Sequence, residues 1–114
     1  MDTSNAITCC NEKRLCDLIC GARQRVVFVA PGATDSVAEA LCGAWPRLPA
    51  GAVTVVFDAS AEACRMGFGT LDAMKRVVSR ATEFRTSIAN HPGIRIGLLI
   101  ADNNMIVYTP TPLL

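Results

Sequence analysis

Gly93 to Pro112, GIRIGLLIADNNMIVYTPTP, decides the fold. Ile94, Ile96, Leu98 and Ile100 alternate with Arg95, Gly97, Leu99 and Ala101, a period of two that predicts a strand with at least one buried face. Asp102-Asn103-Asn104 then supplies side chains that tolerate left-handed backbone and close a tight turn. Met105 to Tyr108 resumes as a partner strand, so the segment reads as a hairpin.

Two more apolar, β-branched runs lie upstream. Arg25 to Ala30, RVVFVA, is bounded by Pro31-Gly32, and Ala52 to Phe57, AVTVVF, ends at Asp58. Between them, Thr34 to Trp45 places Val37, Ala38, Leu41 and Trp45 on one helical face, with Ser36 and Glu39 spaced as a capping box. A longer helical segment runs from Leu71 to about Ile88, and a first helix spans Glu12 to Gly21. The order α-β-α-β-α-β-β predicts an α/β fold, a mixed sheet with helices packed on it.

With 114 residues, the chain is of single-domain length and long enough to bury a core without staples. Hydrophobic residues make up 51% and aromatic residues only 5%, so that core must come from Val, Ile, Leu and Ala. A formal net charge of +1 gives no bulk attraction for nucleic acid, which is not indicated. No run approaches the roughly 18 apolar residues needed to span a bilayer, and MDTSNAITCCNEKR lacks a basic start followed by an apolar run. The chain therefore reads as cytoplasmic, away from membranes and without structural disulfides. Residues 1–11 read as a flexible lead. TPTPLL stops just after the last strand with Leu113 and Leu114, which suggests the N-terminal domain or a fragment of a longer protein.

Three groups of residues are candidates for chemistry. Cys64 to Thr70, CRMGFGT, leads into the long helix: Gly67 and Gly69 allow close backbone approach, Thr70 caps the helix, and Arg65 adds positive charge for an anion. It lacks the lysine of a P-loop and the third glycine of a dinucleotide fingerprint, and a plain tight turn with Phe68 as a core plug is the favoured reading of it. Cys9, Cys10, Cys16 and Cys20, four of six cysteines, could offer thiolates to zinc, although Cys16 and Cys20 also suit the buried face beside Leu15, Leu18 and Ile19. Cys42 and Cys64 have no neighbour that suggests a site. His91, the only histidine, lies in a loop ahead of the hairpin. Lys75, Arg76, Arg80 and Arg85 on the long helix, diluted by Asp72 and Glu83, read as a solvated face.

The hairpin resembles the core motif of the phospholipase D-like superfamily, in which a strand carries His, any residue, Lys, then four residues and Asp before a turn. Asp102 matches the Asp position, whereas Arg95 stands at the His position and Gly97 at the Lys position. The strings RVVFVAP, CRMGFG, HPGIRIG and TPTP resemble a poorly characterised bacterial branch of that superfamily, over Leu15 to Leu114. The resemblance implies a single partial repeat whose nucleophile is gone, since a protonated guanidinium has no free lone pair with which to attack phosphorus. Active members bring two repeats together, so it also implies a homodimer, with the hairpin strands and the tail at Leu113 and Leu114 near the subunit contact.

These readings lead to a non-catalytic domain that binds, docks or self-associates, with no cofactor or resident metal. One alternative is a phosphoester- or nucleotide-binding enzyme using Arg65, Arg95 and Asp102, with a site extended by Gly67, Gly69 and Thr70. A second is a metal or redox sensor built on Cys9, Cys10, Cys16 and Cys20.

Overall fold

In a computed structural model of the chain, residues 12–58, 69–86 and 88–108 are described. The elements are α1 Glu12–Gly21, β1 Val26–Ala30, α2 Asp35–Arg47, β2 Val53–Phe57, α3 Leu71–Glu83, β3 Ala89–Asn90, β4 Gly97–Ala101 and β5 Asn104–Tyr108. The strands form one sheet in the order β3-β2-β1-β4-β5. β1, β2 and β3 run parallel, β4 lies antiparallel to β1, and β5 antiparallel to β4. The mixed α/β arrangement expected from the periodicities is thus the one adopted, with one short strand, β3, added.

β3 exists because α3 stops earlier than the sequence predicts, at Glu83 and not near Ile88. The N–H of Thr86 donates to Ala81 O at 2.8 Å and that of Arg85 to Thr82 O at 3.0 Å, while Arg85 takes φ 58°. This pair of bonds closes a helix C-terminus around a left-handed residue, a position usually held by glycine. With arginine there instead, the stop carries no local signal.

Parallel crossovers from β1 through α2 to β2, and from β2 through α3 to β3, put both helices on the same face of the sheet. α1 packs beside α2 and against β4, so it joins the same layer. Under the helices, Val26, Phe28, Val55, Phe57, Leu99 and Ile106 are almost wholly buried. The rings of Phe28 and Phe57 meet edge to face at 6.2 Å. α3 contributes the small residues Ala73, Val77 and Ala81 at every fourth position, which lets it lie close to α2. Arg47, in the last turn of α2, reaches back to the end of α1 and donates to Ile19 O at 2.7 Å and Ala22 O at 3.3 Å.

The expected capping box of Ser36 and Glu39 does not form the start of α2. Thr34 is the N-cap, accepting from the Val37 N–H at 3.5 Å. The helix begins one residue after Thr34, which puts Ser36 inside its first turn, where its side chain is exposed.

Candidate functional site

In α/β sheets, ligands gather at the carboxyl ends of parallel strands. Here the ends of β1 and β2 lead towards two capped helices that lean on each other. Thr70, the N-cap of α3, accepts from the Ala73 N–H at 3.0 Å and donates its hydroxyl proton to Asp35 Oδ1 at 3.1 Å, in the first turn of α2. Its own N–H donates to Ala33 O at 3.2 Å. Gly69 makes this approach possible: its φ is 100°, and a Cβ there would fall 2.4 Å from Ala33 O. Gly69 and Thr70 therefore act as the capping and close-approach residues the sequence suggested. The Thr70 hydroxyl, however, is engaged by a carboxylate of the chain itself. Cys64, Arg65, Gly67 and Phe68, the rest of that loop, lie outside the described residues.

At the same end of the sheet, just past β2, Asp58 is fully buried. Arg95 Nη1 donates to Asp58 Oδ2 at 2.7 Å and to Ile94 O at 2.7 Å, and the Gly93 N–H donates to Asp58 Oδ2 at 2.9 Å. The pair fastens the loop before β4 to the end of β2. Exposed His91 joins the same junction through its backbone N–H, which donates to Phe57 O at 2.8 Å. Sequence reading singled out Arg95 without its partner. Asp58 stood only as the residue ending an apolar strand, and a lone acid there is the signal that could have found it.

Asp102 belongs to the opposite end. The expectation that it shares a ligand with Arg95 is not met, because all of β4 separates them, roughly 17 Å of extended chain. Asp102 takes φ 57° in the two-residue turn between β4 and β5. Its carboxylate accepts the backbone N–H groups of Arg23 at 3.0 Å, Gln24 at 2.6 Å and Arg25 at 3.1 Å. Arg25 Nε donates in turn to Asp102 O at 3.1 Å. The N–H of Gln24 above all, with that of Arg23, holds the carboxyl below the usual aspartate range, against a smaller opposing effect of burial. This is a clamp between the hairpin turn and the loop ahead of β1.

Gly97 lies on the helix-facing side of β4, directly across from Tyr108. A Cβ at Gly97 would fall 2.2 Å from Tyr108 Cζ, so any larger residue there, lysine included, requires the ring to move.

The cysteines divide. Cys16 is half-buried against the core, whereas Cys20 is exposed and not on the buried face; it borders a shallow pocket with Arg23 and Arg47. Cys42 is half-buried on α2, donating to Arg76 O at 3.6 Å, and burial pushes its thiol up. Cys9 and Cys10 lie outside the described residues, among which no group of three His, Cys, Asp or Glu is placed to hold a metal ion.

A larger feature is the outer face of the sheet. Residues opposite one another in the ladder share a face, so Thr54, Val27, Ile100 and Met105 form one row across it. Ala89, Val56, Val29, Leu98 and Val107 form the next. Neither row contains a charge. None of these residues is fully buried, and Met105 at 52% is among the most exposed large apolar side chains described. Ile96, at 59%, continues the parity of Leu98 just ahead of β4. A concavity of about 350 Å³ lies between α3 and the edge strand β3, lined by apolar Phe57, Met74, Val78 and Ile88 and by polar Thr82, Thr86 and Asn90. No helix among the described residues is long and apolar enough to cross a membrane. No family model matches the chain, nor does any curated protein or solved structure.

Proposed function

We propose that this chain is a non-catalytic docking or self-association domain, a degenerate phospholipase D-like repeat that works through the surface of its sheet. The observation that carries the reading is the outer face: two ladder rows, apolar apart from Thr54, with no helix of the described chain on top of them. A sheet with one solvated face normally alternates apolar and polar residues. A contiguous apolar face of this kind marks an interaction surface.

The residues with chemical potential support the same reading through what they already do. Arg95, at the position of the missing nucleophile, is tied to Asp58; Asp102 is tied to backbone N–H groups; Gly97 lies against Tyr108. Each holds the fold together. For the phosphoester-binding alternative, Arg95 and Asp102 would have to act on one ligand from opposite ends of β4.

The test combines an activity assay with one substitution. The purified chain should give no turnover of bis-p-nitrophenyl phosphate, and Val29→Lys should leave the circular dichroism spectrum intact, because a face open to solvent accepts a long cationic side chain. Turnover abolished by Arg95→Ala or His91→Ala would sink the non-catalytic reading. Global unfolding of Val29→Lys would sink the docking reading, since it would place the outer face inside the chain's own core.

A further inference from the structure

We propose that the connection from β3 to β4, residues 91–96, is a strap that opens as a unit from the carboxyl ends of β1 and β2, with the Asp58–Arg95 pair as its latch. The topology puts it there. With the strands in the order β3-β2-β1-β4-β5, a chain leaving β3 passes the ends of β2 and β1 before it enters β4, about 14 Å across three strand spacings. β3 runs parallel to β2, and β4 antiparallel to β1, so the crossing is made at the carboxyl ends. Gly97 starts β4 there, next to Leu98, which lies opposite Val29. That end of a parallel sheet is the usual place for ligands. The strap lies across it, whatever meets the outer face of the sheet.

What holds the strap differs from what holds its neighbours. β1, β2 and β4 are paired on both sides in the sheet, whereas residues 91–96 belong to no helix or strand. The His91 N–H donates to Phe57 O at 2.8 Å, and the Gly93 N–H and Arg95 Nη1 both donate to Asp58 Oδ2, at 2.9 Å and 2.7 Å. Two of these bonds end on one oxygen. Gly93 reaches it with φ 93°, a backbone region that glycine enters freely. Apolar burial adds little, because His91, Pro92 and Gly93 are exposed and Ile96 is 59% exposed. Segments with few buried apolar contacts open at a lower cost than the core. The latch itself is balanced between two states. Closed, the Asp58 side chain is 0% exposed and that of Arg95 32%, so their attraction offsets lost hydration. Open, both ions regain water. Such a pair fixes position more than it adds net stability, which suits a segment that opens and reseats.

Native-state hydrogen exchange of the full chain, followed amide by amide, tests the strap. The His91 and Gly93 amides should exchange together, at least roughly tenfold faster than the interior amides of β1, at a rate that low denaturant leaves unchanged. Asp58→Asn keeps the size of the side chain, removes its charge and should speed both strap amides roughly tenfold. Arg95→Gln, on the partly exposed partner, should do the same and serves if Asp58→Asn fails to fold, while Arg95→Lys, which keeps the charge, should give a smaller rise. Leu99→Ala weakens the core whether the strap is closed or open. It should speed the β1 amides roughly a hundredfold and leave His91 and Gly93 unchanged. The proposal is overturned if the strap amides follow β1 in denaturant and in Leu99→Ala, which makes their opening global. It is overturned equally if the folded latch variants leave both strap amides at their natural rates. None of these readouts involves a partner, so the docking reading stands or falls separately.

Discussion

Leu98 and Leu99 are neighbours in β4, chemically identical, and lie on opposite faces of one sheet. Leu99 is 0% exposed beneath the helices, while Leu98 is only half-buried, in a row with Val29 and Val107. In an ordinary two-layer domain the second of these would be polar. Strands that are apolar on both faces belong to sheets covered on both sides, yet the described helices cover one. Among the described residues, then, the sheet carries a layer of helices on one face only.

The sharpest way to break the comparison is to truncate each leucine in turn. Leu99→Ala should lower unfolding stability by about 3 kcal/mol, the loss of a fully buried leucine plus its cavity. Leu98→Ala should lower it by about 1 kcal/mol or less in a dilute, monomeric sample, because part of that side chain stays in contact with water. Equal losses in denaturant titrations under those conditions would show that the outer face is internal after all.

Acid provides a smaller effect that does not distinguish the faces. The Asp102 carboxyl is held below its ordinary value in the folded chain, so its stabilisation is fully present above the unfolded aspartate value of about 3.9. That contribution fades as pH falls through the folded value. The natural chain should exceed Asp102→Asn in stability near pH 6, and the gap should shrink on acidification below pH 4. If the clamp acts on β4 as a whole, the gap shrinks equally in the Leu98→Ala and Leu99→Ala backgrounds, as thermal melts would show.

The smallest change belongs to the covered side. Arg85→Gly relieves a left-handed backbone at the end of α3 and should stabilise the chain by about 0.5–1 kcal/mol, with its sedimentation unchanged. A loss of stability would mean that the arginine side chain makes a contribution larger than the backbone strain it imposes.

Much of the architecture was legible locally. The limits of α1, the hairpin turn at Asp102 and the cap at Thr70 follow from periodicity and from residues acting on their immediate neighbours. The end of α3 was not, because its closing residue is arginine and the usual glycine signal is absent. Of the candidate site, Gly69, Thr70 and Arg95 do come to one end of the sheet, whereas Asp102 goes to the other. A linear motif states spacing along a strand and not which end of the sheet each residue reaches.

The amino-acid sequence by itself determined that a hairpin turns at Asp102 and Asn103 and that helices alternate with the upstream strands; it placed Arg25 and Arg95 within strands, whereas β1 starts at Val26 and β4 at Gly97, and it gave Asn104 to the turn, whereas β5 begins there. The hairpin and the alternation are properties of short windows, set by backbone sterics and side-chain type. Only the tertiary structure decided which apolar face the helices would cover. It alone paired Arg95 with Asp58 across 37 positions, and Asp102 with backbone 77 to 79 positions upstream. Such pairings depend on the direction and order in which strands enter the sheet, and no local window contains that information.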